Sequence, residues 1–465
     1  MPSAFLGLDI AYRALQASQQ AMQTASHNIA NANTPGFSRQ EALLASSRPY
    51  TVPTLGGYPS AGQVGTGVIV TAMRRFRDAF LDLQIRQETQ TLKMTTTQRD
   101  TLRQIEMVLP EPSDSGLSKL LDRFWNSWAD LSNEPQSPAF RAGVRQEAAN
   151  LCAALNSADQ QLRDLLSNQD AQIAIKVQEV NNIAQQIAAL NEEIQKVQLA
   201  GNQPNDLRDE RDLLLDKLAG LVNITYRESD TGAISVFIGG TPLVFDFKAN
   251  SLAAASGGEI RWSSDPPGGS TLDVHSGELG GILRSRDAVL SKISELDQLA
   301  NAIKAAVNTV HRQGIGLNGS TGLDFFVGDG AGGIRLADEI LASIENIAAA
   351  GAADSPGDGS KAAEISALRS TALADLGNVT AGDFYSALIT QLGTDTEGAA
   401  DASSNQDALV QHLERQRESL SGVSLDEEAA NLVRFERAYQ AAARVMTTVD
   451  EMLDRLINGT GRTGL

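Results

Sequence analysis

Apolar side chains recur at every seventh position along several segments of the sequence, the spacing of helices that pack lengthwise as in coiled coils. The N-terminal repeat consists of Leu8, Leu15, Met22 and Ile29. The C-terminal repeat consists of Leu432, Tyr439, Met446 and Leu453, with Phe435 and Val449 on the same stripe. Further repeats cover about 138–198 and 282–310. These repeats predict a mainly α fold, a long coiled-coil-like helical bundle with a helix at each terminus.

The N-terminal stripe alternates its large residues with small ones, Ala11, Ser18 and Ala25. Small side chains bury little area unless another helix approaches closely, and an isolated helix of this length is marginally stable in water. Two interpretations are open. The terminal helices pair antiparallel and close one domain, or they pack against terminal helices of neighbouring copies. If the apolar stripes lack partners in a single subunit, residues before about 78 and after about 424 are expected to be mobile there.

Start and stop signals divide the chain into six predicted segments. Between 223 and 276 the apolar period changes from helical to alternating, which predicts a small β domain inserted into the helical domain, with its last strand at 272–274. The segments are an N-terminal helix and connector over 1–77, the first part of the helical bundle domain over 78–222, the inserted β domain over 223–276, the return helix of the bundle over 277–315, Gly-rich loops and short helices packing on the bundle over 316–420, and a C-terminal helix over 421–465.

Charge and cysteine content argue against several classes of function. Lys and Arg total 38 against 57 Asp and Glu, a net charge of −19 that disfavours nucleic acid as a partner. The single cysteine, Cys152, excludes an intrachain disulfide and a metal site built from cysteines. The sequence has no run of about 18 apolar residues and no basic segment followed by an apolar one at its start. We therefore expect no membrane span and no cleaved signal peptide.

Groups that could carry chemistry are sparse. None of the four histidines falls in an HExxH motif, and the glycine-rich 328–333 lacks the Lys-Ser or Lys-Thr of a phosphate-binding loop. The carboxylates over 206–212 alternate with arginines as on a solvated, ion-paired helix face. Trp125 and Trp128 lie three residues apart, which favours a place in a helix–helix core. We expect no catalytic residue, no metal site and no cofactor.

Two short motifs near the chain ends carry a resemblance. The sequence HNIANANTPGF at 27–37 resembles the N-terminal signature of the bacterial flagellar rod, hook and hook-associated axial proteins. The segment SGVSLDEE at 421–428, with FERAYQA at 435–441, is similar to their C-terminal signature. In the middle of the chain, NDLRDERD at 205–212, GGTPLV at 239–244 and GELGG at 277–281 are similar to the members found at the hook–filament junction.

The resemblance implies a structural, non-enzymatic component of the bacterial flagellum that forms the junction between hook and filament. It implies an extracellular location in the flagellum, reached through the flagellar type III export apparatus. The implied partners are identical subunits in a ring, the hook protein, the second hook–filament junction protein, and an export chaperone on the C-terminal helix. The candidate assembly residues are those of the two apolar stripes, Leu8, Leu15, Met22, Ile29, Leu432, Phe435, Tyr439, Met446, Val449 and Leu453, and those of the N-terminal signature, Asn28, Asn31, Pro35 and Gly36.

Two alternatives remain beside this interpretation. Another flagellar axial protein, of the hook or rod type, would share both terminal signatures, but hook proteins have a mainly β middle, whereas this middle carries long heptad repeats. A secreted acidic enzyme is the remote alternative, and the sequence offers no nucleophile, base and orienting group at a fixed spacing to support it.

Overall fold

The computed structural model describes residues 5–49, 64–113, 116–255, 257–266, 269 and 271–459. Parts of the predicted terminal segments, over 1–4, 50–63 and 460–465, lie outside these described residues. The helices are α1 (Leu6–Ala30), α2 (Ala79–Val108), α3 (Leu117–Asn133), α4 (Pro138–Leu199), α5 (Asn205–Leu221), α6 (Gly277–His311), α7 (Gly330–Gly333), α8 (Asp338–Ala342), α9 (Ser360–Ala367), α10 (Ala381–Ser421) and α11 (Leu425–Asp454). The predicted mainly α fold class is confirmed.

The strands are short and antiparallel. They are β1 (Gln40–Ser46), β2 (Val68–Arg75), β3 (Thr225–Glu228), β4 (Ile234–Ile238), β5 (Thr241–Phe245), β6 (Lys248–Ala249), β7 (Leu252–Ala254), β8 (Ile260–Trp262), β9 (Phe326–Val327) and β10 (Arg335–Leu336). Four of them form a sheet in the order β3-β4-β5-β6, and the others pair as β1-β2, β7-β8 and β9-β10. The strand predicted at 272–274 is wrong. That segment is irregular there and is held to β8 by the Leu272 N–H, which donates to the Ile260 carbonyl at 2.8 Å.

The first core lies among α3, the first half of α4 and the second half of α6. Trp128 and Phe124 are fully buried there, and the Trp128 ring meets Phe325 edge-on with centroids 5.1 Å apart. Trp125 is also buried, so the predicted place of the two tryptophans in the core is confirmed. Because apolar burial is the main driving force of folding, we expect this core to keep the bundle folded without the chain ends.

The second core lies between the β strands over 225–262 and the second half of α4. The α4 helix is unbroken over 62 residues, about 90 Å long, and therefore contributes to both cores. Two asparagines of α4 hold the strands by their backbone. Asn181 accepts from the Leu252 N–H at 2.8 Å and donates to the Leu252 carbonyl at 2.9 Å, and Asn191 holds Ile234 in the same way at 3.0 and 2.8 Å.

The segment predicted as loops and short helices contains a 41-residue helix, α10, at its end. This part of the prediction is wrong for a physical reason. Glycines at 382, 393 and 398 lower the helical propensity of the segment, at a cost of about 1 kcal/mol each relative to alanine. The helix forms because it packs along α2 and buries Tyr385, Leu388 and Leu392. Tertiary contact outweighs local propensity here.

Candidate functional site: the terminal helix pair and its joint

The two terminal helices, α1 and α11, pack against each other along their length; we call them the terminal pair. Their direction is antiparallel, because Gly7 lies against Val449 at one end and Asn28 contacts Glu428 at the other. The small residues Ala11, Ser18 and Ala25 are buried, so the helices approach closely at these positions. Of the two interpretations of the heptads, the structure shows the antiparallel intramolecular pair. The premise that the stripes lack any partner is wrong, while mobility of the ends in an isolated subunit stays a prediction.

Pairing covers the candidate stripe residues only in part. The side chains that are half-buried are Leu8, Leu15, Met22, Ile29, Leu432, Phe435, Met446, Val449 and Leu453. Tyr439 is 38% exposed. Beside this stripe α11 presents further apolar side chains to solvent, with Val445 50% and Met452 60% exposed. Among the described residues of α11, only Glu428 and Ala442 are buried. The terminal pair therefore has apolar surface that a single chain leaves uncovered.

Asn28 is the fully buried centre of the contact between the terminal pair and β1. Its amide nitrogen donates to the Gln40 carbonyl at 2.8 Å and to a Glu428 carboxylate oxygen at 3.1 Å, and its amide oxygen accepts from the Gln40 N–H at 3.0 Å. The same carboxylate pairs with Arg39 at 2.8 Å. Asn28 of α1 thus connects Glu428 of α11 to Gln40 of β1. Both the nitrogen and the oxygen of its side-chain amide have hydrogen-bond partners.

The other motif residues shape the turn after α1. Asn31 donates to the His27 carbonyl at 3.1 Å and accepts from the Thr34 hydroxyl at 3.1 Å, which satisfies polar groups at the helix end. Pro35 and Gly36 are exposed, and Gly36 has a φ of +83°, in the left-handed region that favours glycine. A Cβ on Gly36 would lie 3.1 Å from the Cβ of Leu213. The motif therefore lets the chain turn tightly past α5.

Polar side chains connect this turn to the bundle. The residues after α1 bind the acidic face of α5, with the Ser38 N–H donating to Asp209 at 2.9 Å and Gln40 donating to Asp206 at 2.7 Å. Arg75, at the end of β2, reaches Asp209 at 2.7 Å and Asp212 at 3.1 Å. We call this set of contacts, together with the ion pairs of Arg77, Arg86 and Arg417, the joint.

The joint extends to the two long helices beside α5. Arg77 pairs with Asp82 at 2.6 Å, Arg86 pairs with Asp216 at 2.6 Å, and Arg417 of α10 pairs with Asp216 at 2.9 Å. Although burial opposes ionisation of Asp212, the charges of Arg77, Arg75 and Arg86 hold the pKa of this carboxyl below its usual value. Burial raises the pKa of Asp209. The joint is therefore a network of ion pairs that links the connector, α2, α5 and α10.

The acidic cluster was predicted to be a solvated surface, and this prediction is wrong in one respect. The cluster is ion-paired, but Asp209 is 4% exposed, Asp212 is 9% exposed and Arg211 is 1% exposed. The connector and the β strands cover these groups. The contact residues that the motifs did not reveal are Ser38, Arg39, Gln40, Arg75 and Arg77. One signal for them is present in the sequence: arginines cluster at 74, 75 and 77, and acidic residues repeat every three or four positions at 206, 209, 212 and 216. In the structure Arg75 and Arg77 reach these acidic residues, whereas Arg74 pairs with Glu41.

Few groups in the described part of the chain are arranged for chemistry. Within it, no three or more His, Cys, Asp or Glu side chains are placed to hold a metal ion. Among the described helices none combines the length and the apolar character needed to cross a membrane. His311 is buried; its Nδ1 lies 2.8 Å from the Leu323 carbonyl, and its Nε2 accepts from the Ala348 N–H at 2.9 Å. Burial lowers the pKa of His311, so this histidine is a neutral structural residue.

Sequence comparisons place the chain among flagellar proteins. The profile described as "Flagellar hook-associated protein FlgK helical domain" matches residues 102–326. Profiles described as "Flagella basal body rod protein" and "Flagellar basal body rod FlgEFG protein C-terminal" match residues 8–37 and 415–459. The two rod profiles thus cover the terminal pair, and the helical-domain profile covers much of the bundle and the inserted strands.

Full-length relatives agree with these profiles. Flagellar hook-associated protein 1 of Bacillus subtilis (strain 168) is 33% identical, with all of both chains covered. The protein of the same name from Escherichia coli (strain K12) is 27% identical, covering 96% of this chain and 98% of the relative. A solved structure, the flagellar hook junction protein FlgK from Burkholderia pseudomallei, has a similar fold, with a TM-score of 0.65, 16% identity, and coverage of 73% of this chain and 100% of that one.

The terminal pair and the profile matches identify a flagellar axial protein. The full-length similarity is more specific: the chain belongs to the flagellar hook-associated protein 1 family. The family resemblance inferred from the terminal motifs is thereby confirmed.

Proposed function

We propose that this chain is a non-enzymatic structural subunit at the junction between the flagellar hook and filament, assembled through its terminal pair. The observation that carries the proposal is the apolar surface that the pair leaves open, in the segments that match the axial rod profiles. A fully buried large apolar side chain contributes about 1.5–3 kcal/mol, so a few such residues on each copy suffice to hold neighbouring subunits together. The candidate stripe residues remain proposed assembly residues on this basis.

The joint also has a role in the proposed assembly. A subunit in a ring must hold its terminal pair at a fixed angle to its outer domain, or the copies cannot repeat regularly. Ion pairs and hydrogen bonds depend on direction as well as distance, and the joint supplies them from the connector, α2, α5 and α10. We assign the joint the role of fixing this angle.

The partners follow from the proposed place in the flagellum. They are identical copies in a ring, the hook protein on one side and the second hook–filament junction protein on the other. Before assembly an export chaperone covers α11, because an amphipathic helix with exposed apolar side chains fits a hydrophobic groove. The proposed location is extracellular, after export through the flagellar type III apparatus.

The test replaces exposed apolar residues of α11 by charge. Val445→Asp with Met452→Asp adds two charges seven residues apart to the uncovered face. The matched control, Gln440→Asp with Thr447→Asp, adds the same charges at the same spacing to exposed polar positions. In cells that lack the chromosomal copy, we expect the first variant to be folded but to leave hooks without filaments, and the control to support filaments.

Three measurements separate the steps: co-purification with the chaperone, secretion into the medium, and counts of filaments by electron microscopy. Loss of filaments with normal secretion would assign the face to ring assembly, and loss of co-purification would assign it to the chaperone as well. If Val445→Asp with Met452→Asp still supports filaments at the level of the control, the exposed face of α11 is not the assembly surface.

A further inference from the structure

A cavity of about 470 Å³ lies where the connector, α2, α5 and the first β strands of the insertion meet. Its wall is unusually basic for a chain with a net charge of −19. The carboxylates in its lining are Asp82, Asp212 and Glu228, whereas the lining arginines are Arg74, Arg75, Arg77, Arg86, Arg208 and Arg211. The joint forms one side of this cavity, and three of the lining arginines, Arg74, Arg208 and Arg211, lie outside the joint.

Most of the arginines have acidic partners beside or behind the wall. Arg75 is paired with Asp209 and Asp212, and Arg77 with Asp82. Likewise, Arg86 pairs with Asp216, and Arg74 pairs with the exposed Glu41 at 2.9 Å. These four guanidinium groups are neutralised by the protein itself, and they do not require a ligand.

Arg208 and Arg211 differ from the other four. Arg211 is 1% exposed and donates to two neutral acceptors, the Gly232 carbonyl at 2.6 Å and the Asn191 amide oxygen at 3.1 Å. The carboxylate within ion-pair distance of it is Glu228, at 3.3 Å, whose side chain is 49% exposed.

Arg208 lies one helical turn earlier and contacts the amide of Gln198. It makes no ion pair with any described residue. In both arginines the buried Nε has no hydrogen-bond partner within the described part of the chain. Burial lowers the pKa of Arg211, while the nearby charges of Asp212 and Glu228 oppose this shift and the charge of Arg208 adds to it. Arg208 thus lacks an ion-pair partner among the described residues, and Arg211, one turn further along α5, has the partly exposed Glu228 within ion-pair distance.

We propose that this cavity binds a small oxyanion carrying two or more negative charges, such as phosphate or a tricarboxylate, through Arg208 and Arg211. Guanidinium groups match carboxylate and phosphate oxygens in geometry as well as in charge. The cavity has the volume of a typical small-molecule site, and its partly buried wall strengthens each charge–charge contact relative to water. Chloride carries one charge and cannot bridge two forks, so it is a poor substitute.

The bound anion has a mechanical consequence. Arg208 and Arg211 belong to α5, whereas Arg74 and Arg75, which also line the cavity, belong to β2. An anion between these elements adds contacts across the joint. Binding therefore raises the melting temperature of the folded chain, since a ligand that binds only the folded state stabilises it.

The test is calorimetric titration of the purified full-length chain with sodium phosphate and, separately, with sodium citrate, in chloride buffer of matched ionic strength. We expect one anion per chain from at least one of the two. Arg208→Gln is expected to weaken binding about tenfold or more, because a charged hydrogen-bonding group is lost. Glu228→Gln is expected to tighten binding, because it removes the competing carboxylate while keeping an acceptor for Arg211.

The matched control is Arg335→Gln, which removes the same charge from an exposed pair with Asp338 far along the chain and should leave binding unchanged. Two results overturn the proposal: no binding of either anion, or equal binding by Arg208→Gln and the unmodified chain. If Arg208→Gln has a clearly lower melting temperature than the unmodified chain, the test rests on Glu228→Gln. Anion binding by Glu228→Gln that is unchanged or weaker also overturns the proposal. None of these outcomes depends on filament assembly, so they do not test the proposed function.

Discussion

Around Trp128 the bundle packs fully buried aromatic and aliphatic side chains, whereas at the joint the chain buries the carboxylates of Asp209 and Asp212 against arginines. Apolar burial stabilises in proportion to area and has little directional preference. Buried ion pairs contribute less net stability, because desolvation offsets much of the attraction, but breaking one leaves an uncompensated charge. The comparison supports our proposal that the bundle supplies most of the stability of the subunit and that the joint fixes the orientation of its terminal pair.

The terminal pair is a third case, between the other two. Its small residues are buried, and its large ones are half-buried. Its contact with β1 depends on Asn28, which holds Gln40 through both backbone groups as Asn181 and Asn191 hold strands of the insertion. The same device therefore attaches strands to helices in the stable part of the molecule and in the part we propose to assemble.

The largest effect is expected from the bundle core. Trp128→Ala removes the side chain at the centre of the aromatic cluster and should cost about 3–5 kcal/mol of unfolding free energy, measured by denaturant titration. Trp128→Phe, the control, keeps most of the apolar contact and should cost clearly less. If Val445→Asp with Met452→Asp destabilised the chain as much as Trp128→Ala, the bundle would not be the independent source of stability.

A smaller and more local effect is expected at the joint. Asp212→Asn removes a buried charge that faces Arg75, Arg77 and Arg86, and we expect the connector to open more easily by about 3 kcal/mol. Hydrogen exchange of residues 38–40 and 75–77 measures this opening.

The control for the joint is Glu210→Gln, at an exposed position of the same helix that makes no contact in the joint, where the expected change is within about 0.5 kcal/mol. Exchange in α3 should be unaffected by either variant. Equal protection of the connector in Asp212→Asn and the unmodified chain would show that the ion pairs do not hold the joint together.

The sequence predicted the helices of the bundle better than the contacts of the joint. The long helices carry strong local signals, and the predicted helix over about 138–198 is observed as Pro138–Leu199. The start of α11 also has a local cap: the Ser424 hydroxyl accepts from the Glu427 N–H at 3.4 Å, while the Glu427 carboxylate pairs with Arg39 at 3.1 Å. Local patterns predict local structure well because their partners lie within a few residues.

The joint had no such local pattern. Ser38 and its acceptor Asp209 are 171 residues apart, and Arg75 and Asp209 are 134 apart, so their contact exists only after the chain has folded. The α10 helix was missed for a related reason, since its glycines conceal a helix that α2 stabilises by packing. The terminal motifs revealed the family, but the residues that attach them to the bundle required the structure.

The smallest expected effect is the loss of stability at acidic pH, which should begin at a higher pH in the bundle than at the joint. Burial lowers the pKa of His311 in the bundle, so the folded chain resists a proton that the unfolded chain accepts near pH 6.5. The stabilisation is present above about pH 6.5 and is lost as the pH falls from there through the lowered pKa of the folded state. At the joint, the lowered pKa of Asp212 keeps that carboxylate ionised until the pH falls below its ordinary range, about 3.9.

Moderate acid should therefore weaken the bundle before it weakens the pairing of Asp212. His311→Gln tests this, because glutamine can donate to the Leu323 carbonyl and accept from the Ala348 N–H without titrating. We expect its unfolding free energy to change less between pH 7 and pH 5 than that of the unmodified chain, whereas His412→Gln, at an exposed position of α10, keeps the original slope. If the unfolding free energy of His311→Gln falls between pH 7 and pH 5 as much as that of the unmodified chain, the acid sensitivity of the bundle arises from other groups. The comparison between the bundle and the joint would then depend on the Trp128 and Asp212 variants alone.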